Sequence, residues 1–381
     1  STIPLMTRPL PREAFLREDT YAKTRLPVDF AWTLIPDAYT SPEFHAVEQE
    51  RVFARSWVPV CVADEVAEPG DFVVVEVAGR SIIVTRNKDG ELRAHHNVCR
   101  HRGARLCEGS GHVKRFFSCP YHAWAYDLDG ACLGTPLFTP ESEVPVDARA
   151  AFDMSDVKAF DKADMGLHAV RIAEWNFLVL VCLDPDTPEL EHELGDLSER
   201  LAGYRLGEYR LQRRVEYDIA ADWKLIGETS MEGYHIKALH NQSFFPYGYD
   251  NLNVIELHGR NSRIVFPFRR LEKLRGLPRE QWNVQGRLTD VHQLFPNSHV
   301  SFLSSHAMLV ILEPVTPTET HWVVYQLAPR IKNCQPLDLE QARRDANFVQ
   351  DAGLTEDRAA ARAIQEGLAT NANTHFIFGQ Y

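Results

Sequence analysis

No run of about 18 apolar residues occurs in the 381-residue chain, so the sequence contains no candidate membrane-spanning helix. The opening Ser1-Thr2-Ile3-Pro4-Leu5-Met6-Thr7-Arg8 lacks the apolar core of a signal peptide. Positive charge is also scarce. Against 53 Asp and Glu there are 41 Lys and Arg, a net charge of -12, which argues against nucleic acid as a partner. These absences predict a soluble cytoplasmic protein without membrane or nucleic-acid partners. Cysteine is sparse as well. The seven cysteines are an odd number at wide spacing, with no disulfide framework, and Cys61, Cys132 and Cys182 sit in apolar strand-like runs that suit core packing in a reducing compartment. No Gly-rich nucleotide fingerprint occurs, nor any internal repeat or low-complexity tract. The length favours two domains over one.

Chemistry concentrates between His95 and Gly130. Cys99-Arg100-His101 is followed by Cys119-Pro120-Tyr121-His122, a C-x-H and a C-x-x-H. Two thiolates and two imidazoles at this spacing suit one [2Fe-2S] cluster, the cysteines on one iron and the histidines on the other. Neutral imidazoles in place of anionic thiolates raise the reduction potential above that of an all-cysteine cluster. Structural zinc is the competing reading, but zinc fingers pair Cys with Cys and His with His, whereas here each half carries one of each. Cys99-Arg100-His101-Arg102-Gly103 and Cys119-Pro120-Tyr121-His122-Ala123-Trp124 resemble the Rieske domain of the Rieske non-haem iron oxygenases, with Ala123 where that family often has Gly.

In chain order, residues 1–40 read as an N-terminal arm rich in Pro, Arg and Thr. Ser41-Pro42-Glu43 opens a short helix. Trp57–Val62, Asp71–Val77 and Ser81–Arg86 are β-branched runs separated by turn residues and predict an antiparallel sheet. Arg115–Ser118 and Ala123–Tyr126 continue it, and a proline-bearing loop with Pro136, Pro140 and Pro145 follows. The all-β domain is expected to span 41–164. A catalytic domain over 165–381 would hold two strands within Ala169–Leu183, a helix over Leu194–Tyr204 and strands at Leu211–Ile219, His299–Leu303, Ala307–Pro314 and Glu319–Leu327. Helices near Trp223–Leu239 and Gln341–Leu368 would frame them. The expected class is α+β, a curved antiparallel sheet packed on helices in a helix-grip-like arrangement.

The second informative stretch runs from Asp222 to His240. Taken as one helix, it puts Glu232, His235 and His240 within an arc of roughly 140°. Two imidazoles and a carboxylate make the facial triad of non-haem Fe(II), with open positions for O2 and substrate. Asp357 is the first candidate for the carboxylate, because it shares a helical face with Leu354, Ala361, Ile364 and Leu368. Its alternative role is a core salt bridge, and Glu356 and Asp351 compete for the ligand position. Phe244, Phe245, Tyr247 and Tyr249 could line an aromatic cage or a flat slot. His306 could face the same cavity. His95, His96, His112, His168, His258, His292, His299, His321 and His375 lack paired spacing and are expected on the surface or in the core.

Glu232-Gly233-Tyr234-His235 with His240 resembles the family's acidic-x-Tyr-His-x4-His motif, and Thr355-Glu356-Asp357 resembles its late acidic pair, whose second member binds iron. The resemblance implies that Glu232 bridges a cluster-ligand histidine of a neighbouring subunit to His235, in a homotrimer fed with NAD(P)H-derived electrons by a separate flavin or ferredoxin-type reductase. Glu228-Thr229 departs from the family's Glu-Asn. A glutamate bridge resembles the branch acting on quaternary amines. The expected activity is that of a terminal oxygenase that hydroxylates or oxidatively dealkylates a small polar substrate, with cis-dihydroxylation of an aromatic ring as the alternative. A pure electron-transfer Rieske protein is the reading from another class, and would need only residues 41–164.

Overall fold

The computed structural model describes residues 9–136, 138, 160–284, 286–303, 306–329, 331–332, 335–336 and 338–378. Cys334, Pro140 and Pro145 lie outside them. The chain forms two compact units, one of Ala54–Thr187 and one of the residues up to Phe53 together with those from Pro188 onward. No helix among the described residues is long and apolar enough to cross a membrane.

In the unit of Ala54–Thr187, strands β1 (Val58–Val62), β2 (Asp71–Val77), β3 (Arg80–Arg86), β4 (Leu92–His96) and β5 (Ser110–His112) fall where β-branched runs alternate with turns, β4 and β5 excepted. Three short strands, β6 (Phe116–Ser118), β7 (Ala125–Asp127) and β8 (Cys132–Gly134), make a separate sheet. The expected boundary at 164/165 is wrong in one respect. Strands β9 (Ala169–Trp175) and β10 (Leu178–Cys182) complete the first sheet, whose order is β1-β10-β9-β4-β3-β2-β5. Val181 pairs with Val58 and Val170 with Ala94. Every residue of β10 is buried, as a central strand requires. The proline-bearing loop marked the wrong end, because the chain returns to this sheet after it.

The other unit holds a seven-stranded antiparallel sheet in the order β11-β17-β16-β15-β14-β13-β12. Its strands are β11 (Tyr209–Ile219), β12 (Val254–His258), β13 (Asn261–Pro267), β14 (Leu288–Leu294), β15 (Ser298–Phe302), β16 (Ala307–Thr316) and β17 (Glu319–Pro329). Strands β12 to β14 escaped the sequence reading for physical reasons. Strand β12 is an edge strand with exposed Val254, Ile255 and Leu257. Strand β14 buries charge, its Asp290 taking two hydrogen bonds from Arg263 at 2.7 and 3.0 Å. The helix expected over 194–204 is broken at Gly195, whose φ is +55°, into Leu190–Leu194 and Leu197–Leu201.

Residues 41–53, expected in the all-β domain, pack instead with this unit, as do the described residues of the expected arm. Ser41 caps the helix Pro42–Arg51, its Oγ accepting the Phe44 N–H. Glu48 of that helix meets Lys224 Nζ at 3.0 Å, and an Asp222 carboxylate oxygen lies 3.0 Å from the same ammonium. All three side chains are buried, and the Trp223 indole N–H donates to Glu48 at 2.9 Å. Burial pushes the Asp222 carboxyl up to about 6, against the pull of Lys224. A closed buried ion cluster fixes the orientation of the elements that carry it. Here it pins the start of helix Trp223–Ser230, from which the next stretch is launched.

Candidate metal centres and their cavity

The two cysteine loops are copies of one knuckle. Cys99 N–H donates to the Ala104 carbonyl at 2.9 Å and Cys99 O accepts from Gly103 N–H at 3.0 Å. Likewise Cys119 N–H donates to the Trp124 carbonyl at 2.8 Å and Cys119 O accepts from Ala123 N–H at 3.0 Å. Each knuckle turns on one left-handed residue, Gly103 at φ +75° and Ala123 at +56°. A side chain in that conformation costs roughly 1–2 kcal/mol, which explains why glycine is the usual choice where this chain has Ala123.

Cys99 and Cys119 are each 3% exposed, within a core that includes Phe117, Trp124 and Leu128, while His122 is exposed. The His101 and His122 rings lie 4.6 Å apart, and His101 stacks on Trp124 at 5.0 Å. His101 Nδ1 is buried without a hydrogen-bond partner. Buried thiols on one side, paired imidazoles on the other and an orphaned ring nitrogen fit a [2Fe-2S] cluster with two Cys and two His ligands. Tyr126 was missed by the sequence reading. Its oxygen accepts the Arg100 N–H at 3.0 Å and lies 3.3 Å from Cys99 Sγ, within reach to donate to that sulfur as a cluster thiolate, and hydrogen bonds to such sulfurs tune the potential.

In the other unit the helix reading fails, yet the structure brings His235, His240 and Asp357 together. The α-helix stops at Ser230, the chain turns through Met231–Tyr234, and a single turn follows at Ile236–Leu239. Gly233 at this break leaves room for the Asn253 side-chain amide, which would have to move aside for a Cβ. The break, and not helical periodicity, aims both histidines at Asp357. The Nε2 atoms of His235 and His240 lie 3.6 and 3.0 Å from Asp357 Oδ1. Among the described residues this is the one group of three or more ligand side chains whose donor atoms all lie within 4.8 Å of one another. Asp357 Oδ1 is buried and accepts no hydrogen bond, as expected of an oxygen kept for a cation. The set fits Fe(II) in a facial triad.

Carboxylates set both tautomers. Glu232 Oε2 lies 3.1 Å from His235 Nδ1, and its Oε1 accepts the backbone N–H groups of Tyr234 and His235. Glu356 Oε2 lies 2.6 Å from His240 Nδ1 and accepts from Ser243 Oγ at 2.6 Å. With its proton on Nδ1, each ring turns a lone pair on Nε2 toward Asp357. Burial disfavours charge on His240, yet Asp357 and Glu356 outweigh it and raise its pKa. Glu356, a competing ligand by sequence, instead faces His240 Nδ1 and Ser243 Oγ. Asp351 is exposed and outside the cluster. Removing the Glu356 carboxylate in Glu356→Ala should weaken iron retention roughly 10–100-fold without touching a ligand, as iron titration of the apoprotein would report.

The C-terminal helix also departs from expectation. It is interrupted by a π-helical turn at Val349–Gly353 between Leu339–Phe348 and Leu354–Leu368. The buried stripe then runs through Ala361, Gln365 and Leu368, and Ile364 is exposed. π-turns often mark functional positions, and this one precedes the Asp357 carboxylate.

The triad opens on a cavity of about 710 Å³. Phe244, Tyr247, Tyr249 and His306 line it as expected; Phe245 does not. The Arg269 guanidinium covers both the Phe245 and Tyr249 rings, at 4.9 and 5.1 Å. That leaves Phe244, Tyr247 and Phe348 as a three-ring group on the wall, with ring separations of 6.0 and 6.1 Å from Phe348. His299, assigned no role from sequence, also lines the cavity.

Two family models match the chain in succession, the Rieske [2Fe-2S] domain over residues 56–157 and the ring hydroxylating alpha subunit (catalytic domain) over 206–380. The chain belongs to the Rieske non-haem iron oxygenases. The carnitine monooxygenase oxygenase subunit of Acinetobacter pittii is 33% identical over 227 residues, 58% of this chain and 57% of that one, so this chain spans only about half the length of such curated relatives. The glycine betaine monooxygenase oxygenase subunit of Chromohalobacter salexigens is 27% identical over 372 residues, covering 87% and 78%. The anthranilate 1,2-dioxygenase large subunit of Acinetobacter baylyi is 34% identical over 220 residues, covering 56% and 44%. Among solved structures, a quaternary ammonium Rieske monooxygenase shares the fold at TM-score 0.74 and 23% identity, covering 97% and 92%. Naphthalene 1,2-dioxygenase from Rhodococcus sp. does so at 0.74 and 21%, covering 96% and 88%.

Proposed function

We propose that this chain is the terminal oxygenase of a multicomponent Rieske system, acting on a small quaternary amine by hydroxylation or oxidative dealkylation. The carrying observation is the His235, His240 and Asp357 cluster, with its orphaned carboxylate oxygen, on the wall of a cavity of about 710 Å³. Cys99, His101, Cys119 and His122 would hold the cluster, and His235, His240 and Asp357 the mononuclear iron. The cluster supplies stored electrons and the mononuclear iron supplies O2 activation. Glu232 and Glu356 keep the Nδ1 protons in place, and Asp357 contributes the negative charge that two neutral imidazoles lack.

The Glu232 side chain is two-fifths exposed while hydrogen-bonded to His235, which suits a bridge to a cluster histidine of another copy. A homotrimer and a flavin or ferredoxin-type reductase drawing on NAD(P)H complete this reading, in a cytoplasmic setting. The amine substrate is supported by the carnitine and glycine betaine relatives, and by the Phe244, Tyr247 and Phe348 rings, whose faces attract a cation. Arg269 on the wall suits a carboxylate on the same substrate. Cis-dihydroxylation of an aromatic acid is the second reading, favoured by the anthranilate relative. Oxygen uptake with a surrogate reductase should respond to L-carnitine, glycine betaine or choline. Formaldehyde or another amine-cleavage product supports the first reading, and a vicinal diol from anthranilate overturns it.

A further inference from the structure

We propose that His299 is the specificity residue of the cavity, donating a hydrogen bond to an uncharged oxygen of the substrate, a hydroxyl or carbonyl. The proposal deepens the oxygenase reading and rests on it.

Strand β15 alternates, so His299 and Ser301 share one face; both line the cavity, as does Leu303 just beyond the strand. Their cross-strand neighbours are apolar except for Gln293 of β14, which stands beside His299 with its Oε1 accepting from Ser262 Oγ at 2.8 Å. Val310 of β16 stands opposite His299, Met308 of β16 and Val291 of β14 flank Ser301, and all line the same wall. His299 is 3% exposed, and both its ring nitrogens are buried without a hydrogen-bond partner. A buried polar atom without a partner is costly, so two on one ring are expensive unless a ligand satisfies one of them. Helix Trp223–Ser230 packs closely over the ring, since a Cβ on Gly227 would stand 3.4 Å from Cε1 and 3.9 Å from Nε2.

The charge state selects the ligand. Burial pushes the imidazole down to about 4, so at neutral pH it is uncharged and offers one N–H and one lone pair. A neutral ring gives a carboxylate less than the Arg269 guanidinium does, and a quaternary ammonium has no N–H to donate to it. A hydroxyl or carbonyl oxygen is the group that matches. A site with a buried unpaired donor discriminates strongly against an analogue lacking the matching oxygen.

L-carnitine and γ-butyrobetaine differ by one hydroxyl, and so do salicylate and benzoate for the aromatic reading. Binding is measured by calorimetry on the iron-loaded protein at neutral pH. Wild type should prefer L-carnitine to γ-butyrobetaine by roughly tenfold. His299→Phe should abolish that preference while γ-butyrobetaine binds within about twofold of wild type, and His299→Gln, which retains a donor, should restore part of it. If both ligands weaken equally in His299→Phe, the ring is structural and the proposal is overturned. If wild type binds neither betaine, the amine reading is what fails, and the salicylate and benzoate pair carries the same comparison. A hydroxyl preference that survives His299→Phe, or is missing from both pairs in wild type, overturns the role.

Discussion

Asp357→Ala should strip the mononuclear iron and leave the cluster intact. Iron should fall from about three to about two atoms per chain, with visible absorption and the reduced-state EPR signal unchanged. Asp357 supplies the only carboxylate oxygen in the ligand group, and two neutral imidazoles alone hold Fe(II) weakly. Turnover should drop by roughly three orders of magnitude or more, because the lost metal contributes several kcal/mol to the reaction barrier. Iron content equal to wild type would move the ligand role elsewhere, with Glu356, 2.6 Å from His240 Nδ1, as the next candidate.

Glu232→Gln should separate the two metals functionally while leaving both bound. The amide has nearly the shape of the carboxylate, but it loses the negative charge and one of the two acceptor oxygens, so it cannot accept both from His235 Nδ1 and from the Tyr234 and His235 N–H groups. Loss of such a partner costs roughly 10–100-fold in activity. Dithionite should reduce the cluster as fast as in wild type, whereas its reoxidation in the presence of substrate and O2 should slow by that factor in stopped-flow absorption. Wild-type reoxidation in the variant would remove Glu232 from the electron path.

The cluster site was legible because its ligands are local. Cys99 with His101 and Cys119 with His122 each sit in one self-contained turn, so spacing carries the geometry. The iron triad was legible in residue type but not in mechanism. His235 and His240 meet Asp357 because the helix breaks at Met231–Tyr234 and Gly233 lets Asn253 approach, which a 3.6-residue period cannot foresee. Glu356 was misjudged because its partners, His240 and Ser243, are distant in sequence and no pattern on its own helix reveals them. The π-turn at Val349–Gly353 splits the C-terminal helix, and within Leu354–Leu368 the buried face takes Gln365 where Ile364 is expected. Strands β9 and β10 were read as strands but given to the wrong unit, since apolar runs show that a strand exists and not which sheet receives it. His299 was passed over because an isolated histidine carries no spacing signal; only the cavity around it gives it meaning.

The most direct test of two iron centres in one polypeptide is elemental analysis of the purified protein combined with EPR after dithionite. About three irons and about two acid-labile sulfides per chain, with a rhombic signal of a mixed-ligand [2Fe-2S] cluster, are the expected result. Zinc as the sole metal, with no such signal on reduction, would contradict it.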